Sequence, residues 1–168
     1  LIACEDEEKE TELTTAEKIV GTWLADASTG DLGNVNPGSG GLAGAGWTSY
    51  GLTLNADGTF SATGSNPYDL TAYGGDDDGI VNYSGTYTID ETKSPMWIDL
   101  TCTETDLSGF FSADAAVQPL QNGIFELNAD ASELTIQYGS ELAFGVPRPT
   151  EFLVDVDGVV DSGTLVKQ

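Results

Sequence analysis

The 168-residue sequence predicts an all-β fold: an antiparallel up-and-down β-barrel of about eight strands behind a short N-terminal helix. Three observations predict it. Short runs rich in Val, Ile, Thr, Tyr and Phe alternate apolar and polar residues with a period of two. Gly, Asn and Asp separate these runs, in places as tight hairpin signals that make sequential neighbours antiparallel. Helical periodicity is almost absent, and closing the sheet removes the exposed edges that an open one would keep.

The first element is the helix. "TTAE" sets Thr14 as an N-cap with Glu17 three places later, a capping box that starts one or two turns running through Lys18. The strand candidates follow in order at 19–25, 49–55, 58–64, 79–90, 96–102, 123–128, 133–139, 151–156 and 163–168. "NADG" after Leu54 and "NADAS" at 128–132 are the hairpin turns. Alternation puts Val81, Tyr83, Tyr87 and Ile89 on one face, as it does Ile98, Leu100 and Cys102, Phe125 and Leu127, and Leu134, Ile136 and Tyr138. These are the expected core.

Two segments are too long for hairpin loops. Residues 26–47 are dense in glycine and end at Trp47, and 103–122 carry the adjacent Phe110 and Phe111. Loops of this length act as functional lids or remain disordered.

Composition narrows the function. Five Lys plus Arg against 28 Asp plus Glu leave a formal charge of -23, which repels phosphate backbones and anionic lipid head groups, so nucleic acid is excluded as a partner. The absence of histidine removes the commonest general base, the usual zinc ligand and the Ser-His and Cys-His nucleophile pairs. Cys102 alternates with core residues, where a thiol is inert. The expectation is a protein that is not an enzyme.

"LIAC" at the start resembles the end of a bacterial lipoprotein signal. That resemblance implies that residues 1–3 belong to a leader and that Cys4 carries the lipid. Three acyl chains would anchor it firmly, at roughly 0.8 kcal/mol per buried methylene. Residues 4–14 then form an acylated, acidic, disordered tether, and 15–168 the barrel domain. No apolar run is long enough for a spanning helix, so the membrane is reached through the lipid alone. The expected location is the bacterial cell envelope, as an outer-membrane or surface lipoprotein. A disulfide between Cys4 and Cys102 is the other reading of these two thiols.

"GTW" at 21–23, opening the first strand after a short helical turn, is similar to the start of the lipocalin barrel. "GTYTIDETKSPMWIDLT" (85–101), "NGIFELNADASELTIQYG" (122–139) and "PRPTEF" (147–152) resemble an uncharacterised bacterial lipocalin-like domain family, over residues 17–168. The resemblance implies barrel closure by Trp23 and Arg148, the only arginine, lying over the indole as a cation–π pair at the narrow end. It also implies a lumen that takes a small apolar or amphipathic ligand, with Trp47, Tyr83, Tyr87, Phe125 and Tyr138 as candidate contacts and 26–47 as a lid.

The alternative is a structural or protein-interaction module of the cell surface with a filled barrel, because eight strands leave a lumen that side chains alone can fill. No cofactor is expected. Asp76, Asp77 and Asp78 in "GGDDDG", and Asp155 and Asp157 in "DVDG", could hold calcium through carboxylate oxygens, but turn formation explains both and neither has EF-hand spacing.

Overall fold

A computed structural model describes residues 12–26, 49–65, 71, 78–106, 119–139, 148–152 and 163–168. One short helix, α1 (Thr15–Lys18), precedes eight strands: β1 (Gly21–Asp26), β2 (Ser49–Leu54), β3 (Thr59–Ser65), β4 (Ile80–Asp90), β5 (Met96–Thr105), β6 (Pro119–Leu127), β7 (Glu133–Gly139) and β8 (Gly163–Lys167). Each strand pairs antiparallel with its sequence neighbour, and β8 returns to β1, so the sheet is a closed meander barrel. The expected all-β, lipocalin-like barrel with its short helix is the fold. The run at 151–156 is not a strand where it begins, at Glu151 and Phe152, and its remainder lies outside the described residues.

The helix forms where its cap chemistry predicts. Thr14 Oγ1 accepts from the Glu17 backbone N–H at 3.3 Å, and the Glu17 carboxylate takes the Thr14 N–H at 2.8 Å. Four residues cannot hold a helix on propensity alone. Here Glu91, in the β4–β5 turn, accepts from the Ala16 N–H at 2.8 Å and ties the helix to the barrel.

Alternation along every strand separates an apolar lumen from a polar exterior. Leu52 and Leu54 of β2, Phe60 of β3, Ile98 and Leu100 of β5, Phe125 of β6 and Leu134 and Ile136 of β7 are fully or almost fully buried. Register aligns them into rows, such as Leu54 with Phe60, and Phe125 with Ile136. The core expected from the sequence is therefore the core: Val81 and Cys102 are buried, while Tyr83, Tyr87, Ile89, Leu127 and Tyr138 pack against it part-buried.

The two ends differ. Residues 55–58, 91–95 and 128–132 are short turns at the end where α1 sits, whereas 27–48, 66–79, 106–118 and 140–162 all join strands at the opposite end. The peptide between Ser94 and Pro95 in the second short turn is cis.

One device recurs in all three turns. Asp57 accepts from the Thr59 hydroxyl at 2.6 Å and its N–H at 3.0 Å; Asp90 does the same with Thr92 at 2.6 and 3.0 Å. Asp130 accepts from the Ser132 hydroxyl at 2.7 Å and its N–H at 3.2 Å. Gly58, at φ +81, completes the first turn in a conformation that side chains resist. The hydroxyl bonds, and then the backbone bonds, hold all three carboxyls below the usual carboxylate range.

A carboxyl whose folded pKa is depressed adds stability above its unfolded value, about 3.9, and loses it as pH falls through the folded value. The stability difference between wild type and an Asp57→Asn/Asp90→Asn/Asp130→Asn variant should therefore be full at neutral pH and shrink below roughly pH 4. Paired thermal melts across pH 2–8 measure it; a difference that stays constant would show that the turns draw nothing from ionised carboxylates.

Candidate functional site

Three strands from separate walls send tyrosines into the lumen. Tyr50 on β2, Tyr83 on β4 and Tyr138 on β7 all occupy inward positions, because their neighbours at two-residue spacing, Leu52, Val81 and Ile136, are buried. The Tyr83 hydroxyl donates to that of Tyr50 at 3.0 Å. The Tyr138 hydroxyl lies beside Tyr50 without a hydrogen bond of good geometry, and it is the one buried side-chain polar atom among the described residues left without a partner. Such an orphan is costly, because the hydroxyl has surrendered water and gained nothing.

Local structure holds these rings in place. Phe60 meets Tyr83 edge-on, with centroids 6.2 Å apart. Tyr138 stands opposite Gly123 of β6, and a Cβ at that glycine would come within 2.8 Å of the Tyr138 ring. Only glycine leaves the ring room to lie across the sheet. At the loop-bearing end the lumen-facing positions next to the trio are small: Ala25 and Gly64 flank Tyr50 in register, and Gly163 faces inward on β8.

Electrostatics keep the phenols neutral. Burial pushes Tyr50 up to about 12, against the smaller opposing effect of the Tyr83 and Tyr138 hydroxyls beside it, and burial likewise raises Tyr83 and Tyr138 well above the ordinary tyrosine value. The trio is a cluster of protonated hydroxyls in an apolar tube. It can orient a polar group; it supplies no base.

The structure brings only two of the sequence-predicted contacts together, Tyr83 and Tyr138. Tyr87 shares their face but lies nearer the short turns, and its hydroxyl donates to the Asn55 carbonyl at 2.9 Å, so that turn takes the hydroxyl expected to serve a ligand. Phe125 is completely buried in the lower core. Trp47, Cys4, Phe110, Phe111, Asp76, Asp77, Asp155 and Asp157 lie outside the described residues. Asp78 is exposed and accepts from the Ile80 N–H at 2.8 Å, as a turn residue does, and no group of three metal-ligating side chains occurs among the described residues. Sequence reasoning missed Tyr50, although "SYGLTLN" puts it in phase with Leu52 and Leu54.

Barrel closure corrects a second expectation. Trp23 is fully buried at the base, with its indole N–H donating to the Ile19 carbonyl at 2.8 Å. The cation over its ring is Lys167, 5.0 Å from the centroid, whose ammonium also reaches the Lys18 carbonyl at 2.8 Å. Arg148 lies instead on the outer wall, 4.3 Å over Trp97. There its guanidinium donates to the Gly123 carbonyl at 2.8 Å and pairs with Asp99 at 2.5 Å. The reason is register: β8 ends beside Trp23, so Lys167 occupies the place over the indole, while Asp99 points outward from β5 and draws the guanidinium to the exterior.

Cys102 is a buried free thiol whose Sγ donates to the Glu104 carbonyl at 3.1 Å, and burial pushes its pKa up. No family profile, curated protein or solved structure matches this chain.

Arg148→Lys keeps the charge but loses the planar fork that serves a carbonyl and a carboxylate at once. The expected loss is about 1–2 kcal/mol, read as a fall of several degrees in melting temperature. Asp99→Asn should cost a similar amount, and the double variant less than the sum. Additive losses would show that the two side chains act independently.

Proposed function

We propose that this chain is a lipid-anchored protein of the bacterial cell envelope whose lipocalin-like barrel binds a small apolar or amphipathic molecule and catalyses nothing. The observation that carries the reading is the unpartnered Tyr138 hydroxyl beside the Tyr50–Tyr83 pair. A lumen meant only to be filled has no use for three phenols, since apolar side chains of similar volume avoid the desolvation cost. Tyr83 and Tyr138 point inward and are only part-buried, unlike the fully buried side chains below them. The membrane connection rests on Cys4 and the acidic residues after it.

One observation favours the alternative of a filled, structural or interaction barrel: Trp23, Leu52, Leu54, Phe60 and Phe125 pack the lower lumen without exposed surface. The ligand site is accordingly confined to the upper half, beside the tyrosine hydroxyls.

Native mass spectrometry of the protein extracted from its own membranes tests both parts. The expected spectrum carries a diacylglycerol-type mass on Cys4 and a second mass that dissociates on collisional activation. A barrel that leaves the membrane with no dissociable mass and takes up no apolar probe would be the filled module instead. A Cys4 without lipid would refute the anchor.

A further inference from the structure

We propose that the ligand this barrel is built for is electrically neutral, and that its polar end is a single hydrogen-bond acceptor, a carbonyl-type oxygen shared between the hydroxyls of Tyr138 and Tyr50. The inference rests on the ligand-binding reading above and gives that ligand its chemical class.

The first argument is the placement of charge. The chain has five cations. Lys18 pairs with Glu12, Lys93 pairs with Asp90 outside the barrel, Arg148 pairs with Asp99 on the outer wall, and Lys167 is held at the base by the Lys18 carbonyl. Lys9 lies outside the described residues. The four placed cations are engaged at those positions rather than with the tyrosine hydroxyls, so an anionic head group entering there meets no counter-charge among the described residues. Among the described residues a cationic one fares no better. Asp90, Asp99, Glu104, Glu126 and Glu133 occupy outward strand positions, and no charged residue is buried among the described residues. Moving an unpaired ion from water into such an environment is strongly unfavourable, whichever its sign.

The second argument counts protons. Three phenols carry three O–H donors, and burial keeps all of them protonated. Tyr83 spends its proton on Tyr50, whose oxygen is thereby an acceptor already in use. The Tyr50 proton is left, and the Tyr138 proton, which has no well-formed bond of its own, lies beside the Tyr50 hydroxyl. Two adjacent donors are complementary to an oxygen with two lone pairs, as a ketone, ester or amide carbonyl presents. A ligand bringing only donors would leave both unsatisfied.

Displacement of the neutral apolar dye N-phenyl-1-naphthylamine from the intact chain tests this with four ligands of equal chain length: 2-undecanone, undecanoate, undecylammonium and undecane. The expected order puts the ketone at least tenfold tighter than either ion and several-fold tighter than the alkane. In Tyr138→Phe and in Tyr50→Phe the ketone should lose three- to tenfold in affinity, while the dye binds as before and shows that the lumen is intact. Undecanoate or undecylammonium binding as tightly as the ketone would overturn the neutral-ligand assignment, and that comparison needs no variant. A ketone no tighter than undecane, or unaffected by either substitution, would overturn the shared-acceptor assignment while leaving the ligand-binding reading standing. If neither the dye nor any of the four binds, the ligand-binding reading falls and this inference falls with it.

Discussion

The seam between β1 and β8 is the constraint on which the rest depends. Only Trp23 with Lys167 and Leu24 with Val166 are in register across it, a shorter pairing than any between sequential strands. Two extra links reinforce it at the base, where the Trp23 indole and the Lys167 ammonium hydrogen-bond consecutive carbonyls at the end of α1, Ile19 and Lys18. The Gln168 N–H donates to Thr22 as well, extending the ladder past the end of β8. A meander that failed to close here would expose two edges and open the lumen that holds the tyrosines. One aromatic ring under one ammonium thus adds to a seam whose backbone ladder is short.

In a protein of charge -23, three of the placed cations act as joints. Lys167 lies over Trp23, while Lys93 and Arg148 flank Trp97 at 4.9 and 4.3 Å. Each thus joins an aromatic face to a carbonyl or a carboxylate, in a surface where neighbouring acids strengthen any positive site. The choice between Arg and Lys follows geometry. Arg148 serves Gly123 and Asp99 at once through a planar fork, whereas Lys167 reaches a single carbonyl through a narrow gap.

The backbone was legible in the sequence because its signals are local. Two-residue alternation in the runs 79–90 and 96–102, the capping box at Thr14, and Asn-Ala-Asp turns that return the chain at once all act within a few residues. What joins distant residues was not legible. Arg148 could be matched to an aromatic partner but not to the correct tryptophan, since the choice between Trp23 and Trp97 depends on which wall of a closed barrel each one faces. Tyr87 and Tyr83 have the same inward phase, and only the height of each along the lumen decides that one serves a turn and the other a hydroxyl cluster. The missing member, Tyr50, had the right phase from the start; its meaning came from Tyr83 and Tyr138, on strands far along the chain.

The unequal ends of the barrel bear on how such a chain can change over generations. Insertions or deletions in the short turns would disturb Asp–Thr and Asp–Ser pairs that set strand register, and would be purged. The connections at the other end join their strands away from those turns, so a change of length there leaves the Asp–Thr and Asp–Ser pairs in place. A lineage of such proteins could thus vary one end of its barrel while inheriting the other unaltered.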